Sequence, residues 1–101
     1  MRQVRIATTS FLVEDTPHSV RMNLDRSEEY IELAAKQGAD ILCLPEMVTT
    51  ANVIPEFEYS AEEYPGEWTR AFRSAAKENK INLIAPYLVR DGKRVYNQAT
   101  V

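Results

Sequence analysis

The sequence predicts an α/β fold built on a parallel sheet. Three observations carry this expectation. Strand, helix and strand follow one another between Val4 and Leu44; the run Ile41-Leu42-Cys43-Leu44 is apolar without interruption, as a strand covered on both faces requires; and the intervening segment carries its apolar residues at helical spacing. Such a βαβ unit is expected to cross over with a right hand. The whole order reads strand, helix, strand, loop, helix, strand, hairpin turn, strand.

The first strand is expected from Val4 to about Ser10, followed by a polar loop with Glu14, Asp15 and Thr16. The first helix is expected from about Pro17 to Gln37, with Thr16 as N-cap and Pro17 at the first helical position, where a missing N–H costs nothing. Val20, Leu24, Ile31 and Ala34/Ala35 form its apolar stripe, while Arg21–Asp25 and Glu32–Lys36 are opposite charges four apart. Each such pair contributes about 0.2–0.5 kcal/mol. Gly38 ends the helix, because a left-handed backbone costs glycine little. Pro45 closes the second strand, and Val48 to Pro65 reads as an irregular, acidic segment. A second helix is expected over about Gly66 to Lys80, with Trp68, Phe72 and Ala75/Ala76 inward, Arg70, Arg73, Lys77 and Lys80 outward, and Asn79 as C-cap. Ile81 to Val89 reads as a strand, Asp91-Gly92 as a hairpin turn and Arg94 to Val101 as the returning strand. Pro86 within a strand implies an unpaired edge or a bulge at that point.

Composition narrows the function classes. The chain has 101 residues, 12 Lys+Arg and 15 Asp+Glu, hence a formal net charge of -3. That length fits one domain, and mild acidity argues against a general nucleic-acid binder. The single cysteine excludes an intrachain disulfide and suits a reducing, cytoplasmic setting. Cys43 and His18 alone are too few for a structural zinc site, and the acidic run Glu56 to Glu67 lacks calcium-loop spacing. No metal and no cofactor is expected. Glycines at 38, 66 and 92 cannot build a phosphate-cradling loop. No membrane-spanning stretch and no signal peptide is read in the chain.

The most informative residue is Glu46. Directly after Pro45, it stands at the carboxyl end of a strand, where open α/β sheets place their sites. A carboxylate held there is expected to be partly dehydrated, which raises its pKa and makes it a proton acceptor near neutral pH. Position alone also allows Glu46 to be a loop residue paired with a surface lysine.

These residues resemble the N-terminal portion of the nitrilase (carbon–nitrogen hydrolase) superfamily. The resemblance covers essentially the whole chain. It rests on the opening strand Val4-Arg5-Ile6-Ala7, on Asn23-Leu24, and above all on Ala35-x-x-Gly38-Ala39-Asp40-Ile41-Leu42-x-Leu44-Pro45-Glu46. Ala75-Ala76, the strand and hairpin around Asp91-Gly92, and Tyr96-Asn97 add support. Pro86 departs from the pattern, since the family often has a small residue there. The resemblance implies a four-layer α-β-β-α sandwich, association of subunits, and a Glu-Lys-Cys triad acting on a non-peptide amide, nitrile or carbamoyl substrate. Only the glutamate maps here, as Glu46; the lysine and the nucleophilic cysteine fall outside this sequence.

On this reading residues 1–101 are the N-terminal part of one hydrolase domain, inactive alone and prone to self-association because part of a core lies bare. Cys43, three residues before Glu46 in an apolar strand, is expected to be a small core residue rather than a nucleophile. Lys77, Lys80 and Lys93 do not match the family lysine. Asn97 is read either as an amide that orients the site and contacts substrate, or as a polar residue satisfied within the sheet. His18 and the basic stripe of the second helix are read as solvated, and Trp68 and Phe72 as core. The competing function is a non-catalytic α/β module that binds a partner through the open edge of Arg94 to Val101.

Overall fold

A computed structural model describes residues 2–14, 16, 19–50 and 61–101. Its strands are β1 (Ile6–Thr8), β2 (Ile41–Cys43), β3 (Ala61–Glu63), β4 (Asn82–Asp91) and β5 (Arg94–Thr100), and its helices are α1 (Val20–Lys36) and α2 (Glu67–Asn79). β1 pairs with β2, and β2 with the first part of β4, both in parallel. Farther along, Leu88–Arg90 of β4 pairs in parallel with β3, while β5 runs antiparallel along Ala85–Asp91. The expected α/β class with a mainly parallel sheet is therefore the observed one.

The helices cover one face only. Register places Ala7, Leu42 and Leu83 side by side, and with Leu44, Ala85, Tyr87 and Val89 they meet Leu24, Ile31 and Ala34 of α1 and Trp68, Phe72 and Ala75 of α2. Tyr87 is fully buried, with the Phe72 ring stacked 5.6 Å away and the Trp68 ring edge-on at 6.1 Å. The neighbouring positions Ile6, Thr8, Ile41, Cys43 and Ile84 point the other way and none is buried; Ile6 is 68% exposed. The apolar run of β2 is thus double-sided in sequence, but covered by described helices on one side only.

Several boundaries differ from expectation, each for a local reason. The N-cap of α1 is Ser19 rather than Thr16, and the two residues bond each other instead: the Thr16 N–H donates to Ser19 Oγ, which donates to the Thr16 carbonyl. Pro17 and His18 lie outside the described residues. Arg21–Asp25 closes at 2.8 Å, whereas Glu32–Lys36 does not form. Helix α2 ends on Lys80, at φ 52°, rather than on Asn79, whose side chain turns back to the Ala75 carbonyl. The hairpin turn is Gly92-Lys93, one residue later than expected, because Asp91 already pairs with Arg94 and Gly92 takes the positive φ of 60°. Within the acidic segment read as irregular, Ala61–Glu63 is a strand; residues 51–60 lie outside the described part.

Pro86 falls where its missing N–H does no harm. β2 stops pairing at Ile84 and β3 begins at Leu88, so on that edge β4 is locally without a described strand partner. The Pro86 carbonyl still accepts the Val48 N–H at 2.9 Å.

The Gly38-Ala39-Asp40 string sits at the amino ends of the strands. Gly38, at φ 83°, ends α1, and Asp40 gathers three strands: its carboxylate takes the Arg5 N–H at 2.8 Å and its carbonyl the Asn82 N–H at 3.0 Å. That string builds the sheet, and it leaves the opposite end of β2 to present Glu46.

Candidate active site

Glu46 begins the turn that follows β2. The Leu44 N–H bonds the Ile84 carbonyl at 3.0 Å and keeps the chain beside β4 up to Pro45. Met47 then takes a left-handed φ of 49°, and the Val48 N–H returns to β4. The Thr50 N–H closes the turn on the Met47 carbonyl at 3.1 Å. A left-handed methionine is costly by about 1 kcal/mol, and the buried Val48, Thr49 and Thr50 that follow hold it in place.

Asn97 of β5 reaches the same point. It is paired with Leu88 on β4, and its Nδ2 donates to Glu46 Oε1 at 3.0 Å. The structure thus brings the two candidate site residues, Asn97 and Glu46, within hydrogen-bond distance of each other. Among the described residues the second carboxylate oxygen has no hydrogen-bond partner, which leaves it able to accept a proton.

One expectation is overturned: Glu46 is exposed, not half dehydrated. Both helices pack on the far face of the sheet, so no described element closes over the carboxylate. Cys43 is also not core. It is half-buried on the uncovered face, outside the apolar cluster, with its Sγ near the Leu44 carbonyl at 3.6 Å. Lys77, Lys80 and Lys93 are exposed, as are Arg70 and Arg73. A cavity of about 220 Å³ lies away from Glu46, between α2, the start of β4 and the end of β5.

Asn23 enters the sequence reading only as part of the Asn23-Leu24 resemblance, with no structural role assigned. It falls on the buried stripe of α1 between Val20 and Leu24, and a polar residue on an apolar stripe is the signal that was available. Its amide bonds the backbone of two loops. Sequence reasoning missed the buried Thr49 and Thr50, whose hydroxyl oxygens have no partner among the described residues. Among those residues no helix is long and apolar enough to cross a membrane.

The chain matches the family model described as carbon–nitrogen hydrolase over residues 2–101. It is 33% identical to omega-amidase NIT2 of Xenopus tropicalis over 102 residues, which covers 100% of this chain and 36% of that protein. It is 38% identical over 80 residues to omega-amidase NIT2 of Mus musculus, covering 78% of this chain and 29% of that one. A nitrilase of Pyrococcus abyssi is 30% identical over 83 residues, covering 78% of this chain and 32% of the relative. The chain thus spans about a third of the length of these curated relatives. A strand–helix–strand unit that delivers Leu-Pro-Glu to the end of a parallel strand, matched along its whole length by the family model, makes this chain a member of the carbon–nitrogen hydrolase family, within the nitrilase superfamily.

Proposed function

We propose that this chain supplies the general base, Glu46, of a hydrolase acting on a small non-peptide amide, and that a lysine and a nucleophilic cysteine outside residues 1–101 complete the site. The observation that carries the proposal is the placement of Glu46 just past the carboxyl end of β2, alongside the middle of β4, with one oxygen held by Asn97 and the other unengaged among the described residues. The names of the omega-amidase relatives favour an amide over a nitrile or carbamoyl substrate.

In the reaction, the Glu46 carboxylate takes the proton of the cysteine thiol. A thiol near its reference pKa of about 8.5 is mostly protonated at neutral pH, so an adjacent base matters. The thiolate adds to the amide carbon, and the lysine stabilises the oxyanion. The protonated Glu46 then passes its proton to the leaving amine. In the second half it takes a proton from water, which attacks the thioester; the C–S bond breaks to free the carboxylic acid, and Glu46 returns the proton to the departing cysteine sulfur. No cofactor is needed. Dehydration of Glu46, absent here, is supplied in this proposal by further chain packed over the face bearing Ile6, Cys43 and Ile84, and the complete enzyme associates into oligomers in the cytoplasm.

The test is turnover of an ω-amide. Residues 1–101 alone are expected to release no ammonia, whereas the longer reading frame that contains them does; turnover by residues 1–101 alone contradicts the assignment of the nucleophile elsewhere. The reading as a binding module rests on β5, which has no described strand partner on its outer edge. A stop codon after Val101 together with capture of a β-strand peptide on that edge supports it instead.

A further inference from the structure

The geometry points to Asn23 as the positioning residue of the Glu46 turn, a latch between α1 and the two loops that leave the carboxyl ends of β1 and β2. Its significance for catalysis rests on Glu46 being the base; its structural content does not.

Asn23 lies in the first turn of α1 and is 2% exposed. All its polar capacity is directed at backbone. Its Nδ2 donates to the Thr49 carbonyl at 2.7 Å and to the Glu14 carbonyl at 2.8 Å, and its Oδ1 accepts the Glu14 N–H at 2.9 Å. Glu14 belongs to the loop after β1 and Thr49 to the turn after β2, so one amide joins two segments 35 residues apart in sequence, a separation that follows from their numbers. The Ser27 hydroxyl, fully buried, donates to the Asn23 carbonyl at 2.8 Å and fixes the backbone that carries the amide.

The Glu46 turn is therefore pinned from both ends. Glu46 itself is held by Asn97, Val48 by the Pro86 carbonyl, and Thr49 by Asn23. The first two anchors come from β4 and β5; Asn23 is the anchor from the helix layer. Between them sits Met47 in its left-handed conformation, which relaxes when the ends are released. Only an amide serves here, because the position must donate to two carbonyls and accept one N–H at once.

The test uses residues 1–101, labelled for NMR. In the unsubstituted protein a scalar coupling across the hydrogen bond is expected between Asn23 Nδ2 and the Thr49 carbonyl carbon; its absence overturns the inference without any variant. In Asn23→Ala, hydrogen exchange of the Val48 N–H is expected to quicken about tenfold beyond the change at core amides of β4, and the Asn97 side-chain amide signals move toward those of a free amide. Ala34→Gly, a buried change elsewhere on α1, is the control and shifts all core amides together. Unchanged Val48 exchange in Asn23→Ala, or equal effects in the two variants, overturns the inference. If Asn23→Ala does not fold, Asn23→Asp keeps the acceptor for Glu14 and loses the donors, so loss confined to the Glu46 turn supports it. Failure of these readouts leaves the role of Glu46 untouched, and that role is read by turnover alone.

Discussion

The Asn97 amide donates to the Glu46 carboxylate at 3.0 Å and so joins the last strand of the chain to the turn after β2. The β4–β5 hairpin thereby aims the proposed base. The bond is exposed, so it acts on orientation more than on stability. Asn97→Ala is expected to change the free energy of unfolding by no more than about 0.5 kcal/mol. Asn97→Asp sets a second carboxylate against Glu46 and is expected to cost about 0.5–1 kcal/mol at low salt, part of it recovered at high salt. Urea unfolding at two ionic strengths checks both.

Helix α2 begins on a carboxylate borrowed from β3. Glu62 accepts the Trp68 N–H at 2.6 Å and the Thr69 N–H at 2.9 Å, and the Thr69 hydroxyl bonds both Glu62 and the buried Tyr87 hydroxyl. Gly66 permits this approach, since a Cβ there would stand 2.5 Å from the Glu62 carboxyl carbon and 2.6 Å from the Glu63 carbonyl oxygen. Glu62→Gln is expected to cost about 1–2 kcal/mol, and Gly66→Ala at least as much, in urea unfolding. No loss in either variant would contradict this capping arrangement.

The two faces of the sheet should respond differently to substitution. Leu42 is fully buried under the helices, and Leu42→Ala is expected to cost about 2–5 kcal/mol. Ile6 is 68% exposed on the bare face, and Ile6→Ser should leave unfolding within about 0.5 kcal/mol of the parent. It should also weaken self-association in sedimentation. A well-behaved monomer of the unsubstituted chain would contradict the view that this face seeks a partner.

Gly92 has no atom within 4 Å of a would-be Cβ, so the cost of a side chain there is backbone alone. At its φ of 60°, Gly92→Ala should destabilise by about 1 kcal/mol and Gly92→Asn by less, as thermal unfolding would show.

What could be read from the sequence was what repeats or punctuates. The stripes of α1 and α2, the apolar β2 and the Pro45-Glu46 exit all follow from local pattern, and each is present. What could not be read depends on partners distant in sequence. Ala61-Glu62-Glu63 has no strand signature of its own and becomes β3 only because Leu88–Arg90 offers an edge. Ser19 takes the cap from Thr16 through a local hydroxyl exchange that either residue could have led. Asn97 was singled out from its neighbour Tyr96, but its contact with Glu46 needs the hairpin to fold first. The exposure of Glu46 was misjudged because the covered sheet expected from β2 is, among the described residues, covered on one face only.

In the proposed reaction Glu46 moves the protons. Its most direct measurement is kcat for hydrolysis of a small ω-amide by the reading frame that carries residues 1–101, with Glu46 and with Glu46→Gln. The side chain is exposed and makes one hydrogen bond among the described residues, so the variant should fold like the parent in circular dichroism. A fall in kcat of about 10²-fold or more is expected, the span general acid–base catalysis covers. A folded Glu46→Gln enzyme that keeps its kcat within a factor of about two would contradict it.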